Sequence, residues 1–148
     1  MIVVSACLAG EKCRYDGNSC LFPQVRELVR SGKAVPVCPE VLGGLPVPRE
    51  RCELRRDPDG KARIVSERGR DFTAEYAAGA QAALSIAQAA GATTAVLKSL
   101  SPSCGHGEIY DGSFTGRRTA GHGMAAELLS RHGIRVYTEA ELPALEGL

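Results

Sequence analysis

The sequence predicts an α/β protein: an open, mostly parallel sheet with helices on both faces and a small β-hairpin insertion. Three observations carry this. Short apolar runs of strand length alternate with helix-periodic segments along the chain. The first strand, helix and strand fall within one short segment, which points to a right-handed crossover and a parallel pair. One hairpin pattern, over 52–66, interrupts the alternation.

The elements follow in order. Ile2 to Ser5 is a short apolar run and reads as a buried strand. Leu21 to Arg30 reads as a helix, because Phe22, Val25, Leu28 and Val29 recur at helical spacing and Ser31-Gly32 ends it. Ala34 to Cys38 is a second strand, which Pro36 places near an edge. Pro39 to Pro48 is rich in Pro and Gly and reads as an irregular loop. Cys52 to Ser66 reads as a hairpin turning at Asp57-Pro58-Asp59-Gly60. Asp71 to Ala90 is the longest helix, capped by Asp71, favoured by Glu75 in its first turn and stopped by Gly91. Thr94 to Leu97 is a third strand, followed by a polar loop, Ser99 to Gly107, and by an Asp-Gly turn within Tyr110 to Thr115. Gly121 to Arg131 is a helix closed by His132-Gly133, Ile134 to Tyr137 a fourth strand, and Glu139 to Leu145 a terminal helical turn or two. The result is a Rossmann-like order with no internal repeat, and residues 1–148 are expected to form a single domain.

Composition narrows the function. At 148 residues the chain can bury a core without disulfide staples. With 44% hydrophobic and 24% charged residues it is expected to be globular. A net charge of +1 is no footprint for duplex DNA, so DNA is not an expected partner. No apolar run approaches the ~20 residues of a membrane span, and Met-Ile-Val-Val-Ser-Ala-Cys lacks the basic flank of a secretory signal. A cytoplasmic protein without a membrane partner is therefore the expectation.

Six cysteines stand out: Cys7, Cys13, Cys20, Cys38, Cys52 and Cys104. In a reducing compartment they point to metal binding or catalysis rather than to disulfides. No two form a Cys-x-x-Cys pair, which removes zinc ribbons and thioredoxin-type redox pairs. Cys7 follows the first strand, Cys38 closes the second and Cys104 lies in the loop after the third. If these strands are parallel, the three thiols meet at one rim, beyond the carboxyl ends where open α/β sheets bind ligands. Three thiolates at one rim suit a soft metal or an iron–sulfur cluster, and three rather than four leave one iron open to substrate. The alternative is that each is a small buried hydrophobe. Cys13, in a polar turn, is open to being a fourth ligand, a redox thiol or filler, and structural roles are expected for Cys20 and Cys52. Glu40, two residues after Cys38, is placed for acid–base work or for bonding to local amides. Ser101-Pro102-Ser103-Cys104-Gly105 offers hydroxyls and amides that can bind substrate or form a hydrogen-bonded turn. Lys98, His106 and His122 are secondary candidates: an anion contact, and a proton shuttle or ligand.

Three blocks carry a resemblance. Val4-Ser5-Ala6-Cys7-Leu8-Ala9-Gly10 with Cys13-Arg14-Tyr15-Asp16-Gly17 is the first. Val37-Cys38-Pro39-Glu40-Val41-Leu42-Gly43-Gly44-Leu45-Pro46 with Pro48-Arg49 is the second. Leu97-Lys98-Ser99, Ser101-Pro102-Ser103-Cys104-Gly105 and Ile109-Tyr110-Asp111-Gly112 make the third. In this order, over nearly the whole chain, they resemble the thiouracil desulfidase family, small bacterial iron–sulfur proteins long catalogued as a domain of unknown function. The resemblance implies a [4Fe-4S] cluster bound by Cys7, Cys38 and Cys104, with the fourth iron open to substrate. It excludes Cys13 as a ligand and makes Glu40 and Ser101 the catalytic side chains. It implies non-redox desulfuration of thiolated pyrimidines, such as 2-thiouracil or a thionucleoside, to the oxo base and sulfide. The substrate sulfur would bind the open iron. Expected partners are a small thiolated base or nucleoside and the cluster-assembly machinery. The rival reading is a metal- or cluster-binding sensor that uses the same three cysteines but needs neither Glu40 nor Ser101.

Overall fold

The computed structural model describes residues 1–145, so residues 146–148 of the expected domain lie outside it. Four strands form the central sheet: β1 (Ile2–Ser5), β2 (Ala34–Val37), β5 (Thr94–Leu97) and β8 (Arg135–Thr138). They lie in the order β2-β1-β5-β8, all neighbours parallel. Ile2 pairs with Ala34 on one side and Thr94 on the other. β2 is an edge strand, where Pro36 removes a donor without breaking an interior ladder.

Alternation along these strands sends side chains to two faces. On one face Ile2, Val4, Ala34 and Val96 pack with Val25 of α1 (Pro23–Arg30) and with Leu142. On the other, Val3, Val37, Ala95, Leu97 and Val136 pack against Ala83, Leu84 and Ala87 of α3 (Thr73–Ala89). Ala126 and Leu129 of α4 (Met124–Arg131) complete that face. Helices thus cover both faces, as predicted. Leu97 and Leu129 are almost fully buried, and each such side chain contributes about 1.5–3 kcal/mol of apolar burial.

The predicted hairpin is present as β3 (Cys52–Arg56) paired antiparallel with β4 (Ala62–Ser66). Thr73 joins it to α3, its Oγ1 accepting the N–H of Ile64 at 3.0 Å while its own N–H bonds Asp71 Oδ1 at 2.8 Å. The helix therefore begins at Thr73, two residues later than expected, although Asp71 does satisfy its first turn. Likewise α1 starts at Pro23 rather than Leu21, because proline fits the first helical position. α4 starts at Met124 rather than Gly121.

Two features differ from expectation. Pro39–Leu42 is a short helix, α2, where an irregular loop was predicted. It exists because α2 and α3 approach backbone to backbone: a Cβ on Gly43 would lie 2.0 Å from the carbonyl oxygen of Glu75, and one on Gly79 1.8 Å from that of Pro39. Only glycine at both points permits this contact. The segment after β5 also holds a second hairpin, β6 (Glu108–Tyr110) with β7 (Arg118–Ala120), around the expected Asp111-Gly112 turn.

The chain leaves β1 toward β2 on one side and later returns to β5 on the other. The carboxyl ends of these neighbouring strands therefore flank a topological switch point, where open sheets form a crevice.

Candidate active site

Each strand at the switch point feeds one cysteine into the crevice. β1 runs into a 3₁₀ turn, Ala6–Ala9, that carries Cys7. Gly10 closes this turn at φ +100°, a left-handed conformation suited to glycine, and donates to Cys7 O at 3.2 Å. Cys38 sits between β2 and α2 with extended backbone, at the start of the short helix. Cys104 lies in the loop after β5, whose turn is closed by Gly105 N–H donating to Ser101 O at 2.8 Å. Cys7, Cys38 and Cys104 together with Glu40 and Ser101 line one cavity of about 450 Å³. All five residues singled out from the sequence therefore meet in space.

The thiols are free, Cys7 and Cys104 buried and Cys38 partly so. Burial is the main cause that pushes the Cys7 thiol up, and the neighbouring Cys104, Cys20, Cys38 and Glu40 add to it. Cys104 is pushed up to about 12, first by burial and then by Glu40, with hydrogen bonds from Ser5 and Ser103 opposing. Cys38 is raised by hydrogen bonding with Cys13, then by burial and Glu40. Three thiolates here would repel one another and Glu40 in a desolvated crevice. A cationic inorganic core at their centre reverses that balance, so the donor set fits such a group. Among the described residues, no three His, Cys, Asp or Glu side chains converge as a single metal ion requires. Cys7, Cys38 and Cys104 come from three separate segments and line one cavity, a donor set that a polynuclear centre with a different iron on each thiolate could use.

Glu40 and Ser101 are linked through a residue the sequence reading did not single out. Ser103, fully buried, donates to Glu40 Oε1 at 2.7 Å. Its Oγ lies 3.0 Å from Ser101 Oγ. The one hydroxyl proton of Ser103 has Glu40 Oε1 at 2.7 Å and Cys104 Sγ only at 3.6 Å; with it directed mainly to Glu40, Ser101 donates to Ser103. Ser101 Oγ in turn accepts the N–H groups of Ser103 and Cys104, each at 3.1 Å. A directed chain, Ser101 to Ser103 to Glu40, thus runs along the cavity wall beside Cys104. The second oxygen of Glu40 lies 3.6 Å from Cys38 Sγ and 3.9 Å from the guanidinium of Arg49.

The other candidates fall differently. Cys13 and Cys52 line the cavity. Cys13 O stands 3.8 Å from Cys38 Sγ, and burial pushes the Cys52 thiol up to about 11. Cys20 donates its N–H to Cys7 O at 2.9 Å and receives a contact from Arg14 at 3.6 Å, so it braces the first loop. Lys98 lines the cavity but is paired, its Nζ 3.3 Å from Glu139 Oε1. His106 and His122 stack on one another at 4.7 Å and do not line the cavity, and His122 Nδ1 accepts from Gly107 N–H at 2.9 Å. Neither is placed as a shuttle or ligand. Arg49, Arg51, Tyr110 and Phe114 also line the cavity; Arg49 and Tyr110 stood only within the blocks that carry the resemblance, and Arg51 and Phe114 were not singled out, because the segment before β3 and the β6–β7 hairpin meet only in the fold.

Comparison with known proteins agrees with this picture. The family model described as 2-thiouracil desulfurase matches residues 2–141. The uncharacterized protein YbbK of Bacillus subtilis (strain 168) is 44% identical over 147 residues, covering 96% of this chain and 97% of that protein. The solved structure of TudS, a [4Fe-4S]-dependent thiouracil desulfidase, superposes with a TM-score of 0.87 at 46% identity. It covers 97% of this chain and 93% of its own.

Proposed function

The chain belongs to the 2-thiouracil desulfurase family, and from that premise we propose that it desulfurates thiolated pyrimidines, as free bases or nucleosides, without net oxidation or reduction. Water replaces sulfur: the C=S carbon becomes C=O, and the sulfur leaves as hydrogen sulfide with both protons of the water. Cys7, Cys38 and Cys104 would hold a [4Fe-4S] cluster. When bound, such a cluster supplies a soft Lewis acid with one iron free of protein ligand, suited to a thiocarbonyl sulfur.

The chain's own residues supply the rest. Glu40 is the group that takes a proton from the attacking water and returns it to the departing sulfur. It is mostly buried, and Ser103 holds its Oε1 at 2.7 Å, so the carboxylate keeps one orientation. A positioned acid–base group contributes about 10²–10⁴-fold to rate. Ser101, its oxygen fixed by two backbone N–H groups, turns its one hydroxyl proton from Ser103 to the substrate when the ring is bound, and so orients a ring carbonyl or stabilises charge on it.

One observation carries this reading: three cysteines line the same cavity as Glu40 and Ser101, which buried Ser103 links from behind. A sensing module has no use for that hydrogen-bonded chain. The test is anaerobic reconstitution with iron and sulfide, addition of 2-thiouracil, and measurement of sulfide and uracil. Equal amounts of both are expected. No turnover across a panel of thiolated bases and nucleosides would end the enzymatic claim.

A further inference from the structure

The outer wall of the cavity is held by a carboxylate that never reaches the cavity. Arg51, just before β3, lines the space. Its Nη2 donates to Glu53 Oε2 at 2.7 Å, and its guanidinium carbon lies 5.8 Å from the Tyr110 ring centre and 5.5 Å from that of Phe114. Glu53 is only 1% exposed. Its other oxygen accepts the N–H groups of Gly112 at 3.0 Å and Phe114 at 3.2 Å.

Those two amides belong to a loop in an unfavourable conformation. Phe114 has φ +58°, uncommon for a bulky L-residue. Gly112 has φ +92°, and a Cβ there would stand 2.8 Å from Arg55 Cβ. The loop 111–117, closed by Asp111 N–H to Arg117 O at 3.0 Å, packs against β3 in a shape that Glu53 fixes from beneath. A carboxylate buried this deeply is tolerated only when fully paired. Of its partners, Arg51 and Phe114 line the cavity, and Gly112 belongs to the same loop as Phe114.

We propose that Glu53 is a positioning residue for substrate capture: through Arg51 and the loop 111–117 it sets the cavity's affinity for a planar, carbonyl-bearing ring and takes no part in bond breaking. The inference rests on the desulfuration reading above. Arg51 presents a planar fork of N–H donors, of which Nη2 engages Glu53. Pinned over two aromatic rings, it meets a flat heterocycle with its orientation already set, which lowers the entropy cost of binding.

The test uses the anaerobically reconstituted holoenzyme and the variants E53Q, R51Q and the double variant. Glutamine at 53 keeps the shape and an oxygen for the loop amides but removes the charge that holds Arg51. Each single variant should raise KM for 2-thiouracil about tenfold while kcat stays within about twofold, since a hydrogen bond to a charged group is worth that much in affinity. Calorimetric titration with uracil should weaken by a similar factor, and visible cluster absorbance should be unchanged. The double variant should be no worse than R51Q alone, because Glu53 acts through Arg51. Additive losses in the double variant, a fall in kcat at constant KM, or uracil binding that is absent from the wild type or equal in all forms would each overturn the proposal. If E53Q fails to load a cluster, R51Q alone must show the full KM effect. A wild type that binds uracil but releases no sulfide would sink the desulfuration reading, while the uracil titrations still decide the role of Glu53.

Discussion

Replacing Gly79 by alanine should destabilise the protein and disable the site, although the same change favours most helices by about 1 kcal/mol. Gly79 lies within α3, where α2 crosses it. An added Cβ would stand 1.8 Å from the carbonyl oxygen of Pro39 and 2.7 Å from its carbon, whereas ordinary contact begins at 3.4 Å. Both atoms are backbone, so no rotamer relieves the overlap, and α2 must retreat by roughly 1.6 Å. Overpacking of this kind costs about 1–3 kcal/mol, leaving a net loss of up to about 2 kcal/mol after the propensity gain. The larger effect is on chemistry. Pro39 stands between Cys38 and Glu40, so the shift moves a proposed cluster ligand and the proposed acid–base group together. A displacement of about 1 Å costs about 10²-fold in rate. Urea unfolding and initial rates of sulfide release measure the two effects. A control, Ala78→Gly on the exposed face of the same helix, should cost about 1 kcal/mol and leave turnover alone. A G79A protein as stable as wild type, with turnover within about twofold, would refute the claim that the α2–α3 contact sets the site.

Other predictions concern single groups. E40Q and S101A should each lower kcat about 10²–10³-fold with cluster absorbance retained. S103A should lower it about tenfold or more, because it cuts the link between the other two. Steady-state kinetics on the loaded protein checks all three. Glu139 gives a pH dependence: burial raises its carboxyl pKa, but hydrogen bonds from Ser99 and the backbone, with Lys98 nearby, outweigh this and hold it below the usual range. Its contribution is therefore present above the unfolded carboxylate pKa of about 4.3 and lost as pH falls through the lower folded value. The stability difference between wild type and E139Q, measured by urea unfolding, should be about 1–2 kcal/mol at neutral pH and shrink below about pH 4. A difference that is constant with pH would contradict this.

The sheet was legible because its signals are local. Ile2–Ser5 and Thr94–Leu97 are apolar enough to be strands in almost any context, and Pro36 marks an edge by the donor it lacks. Parallel strands then require Cys7, Cys38 and Cys104 to reach one rim, which made those three thiols readable before any coordinates. What the sequence hid depends on tertiary contact. α2 is only four residues long, too short to stand as a helix by itself, and is fixed by the Gly43–Gly79 approach. The strands of β6 and β7 are three residues each, joined by a seven-residue loop rather than a tight turn, so they carry little alternation. Ser103 was visible as a hydroxyl beside Ser101, but only its complete burial and its 2.7 Å contact with Glu40 reveal a role. Arg51, Tyr110 and Phe114 were invisible as a group, since nothing local brings the β3–β4 and β6–β7 hairpins together.

Iron and acid-labile sulfide, counted per chain after anaerobic purification, test the central proposal most directly. Wild type should hold about four of each, and so should the alanine variants at Cys13, Cys20 and Cys52. Alanine at Cys7, Cys38 or Cys104 should each abolish the content while leaving a folded chain. A cluster that persists without any one of those three, or that disappears with Cys13 alone, would contradict the account.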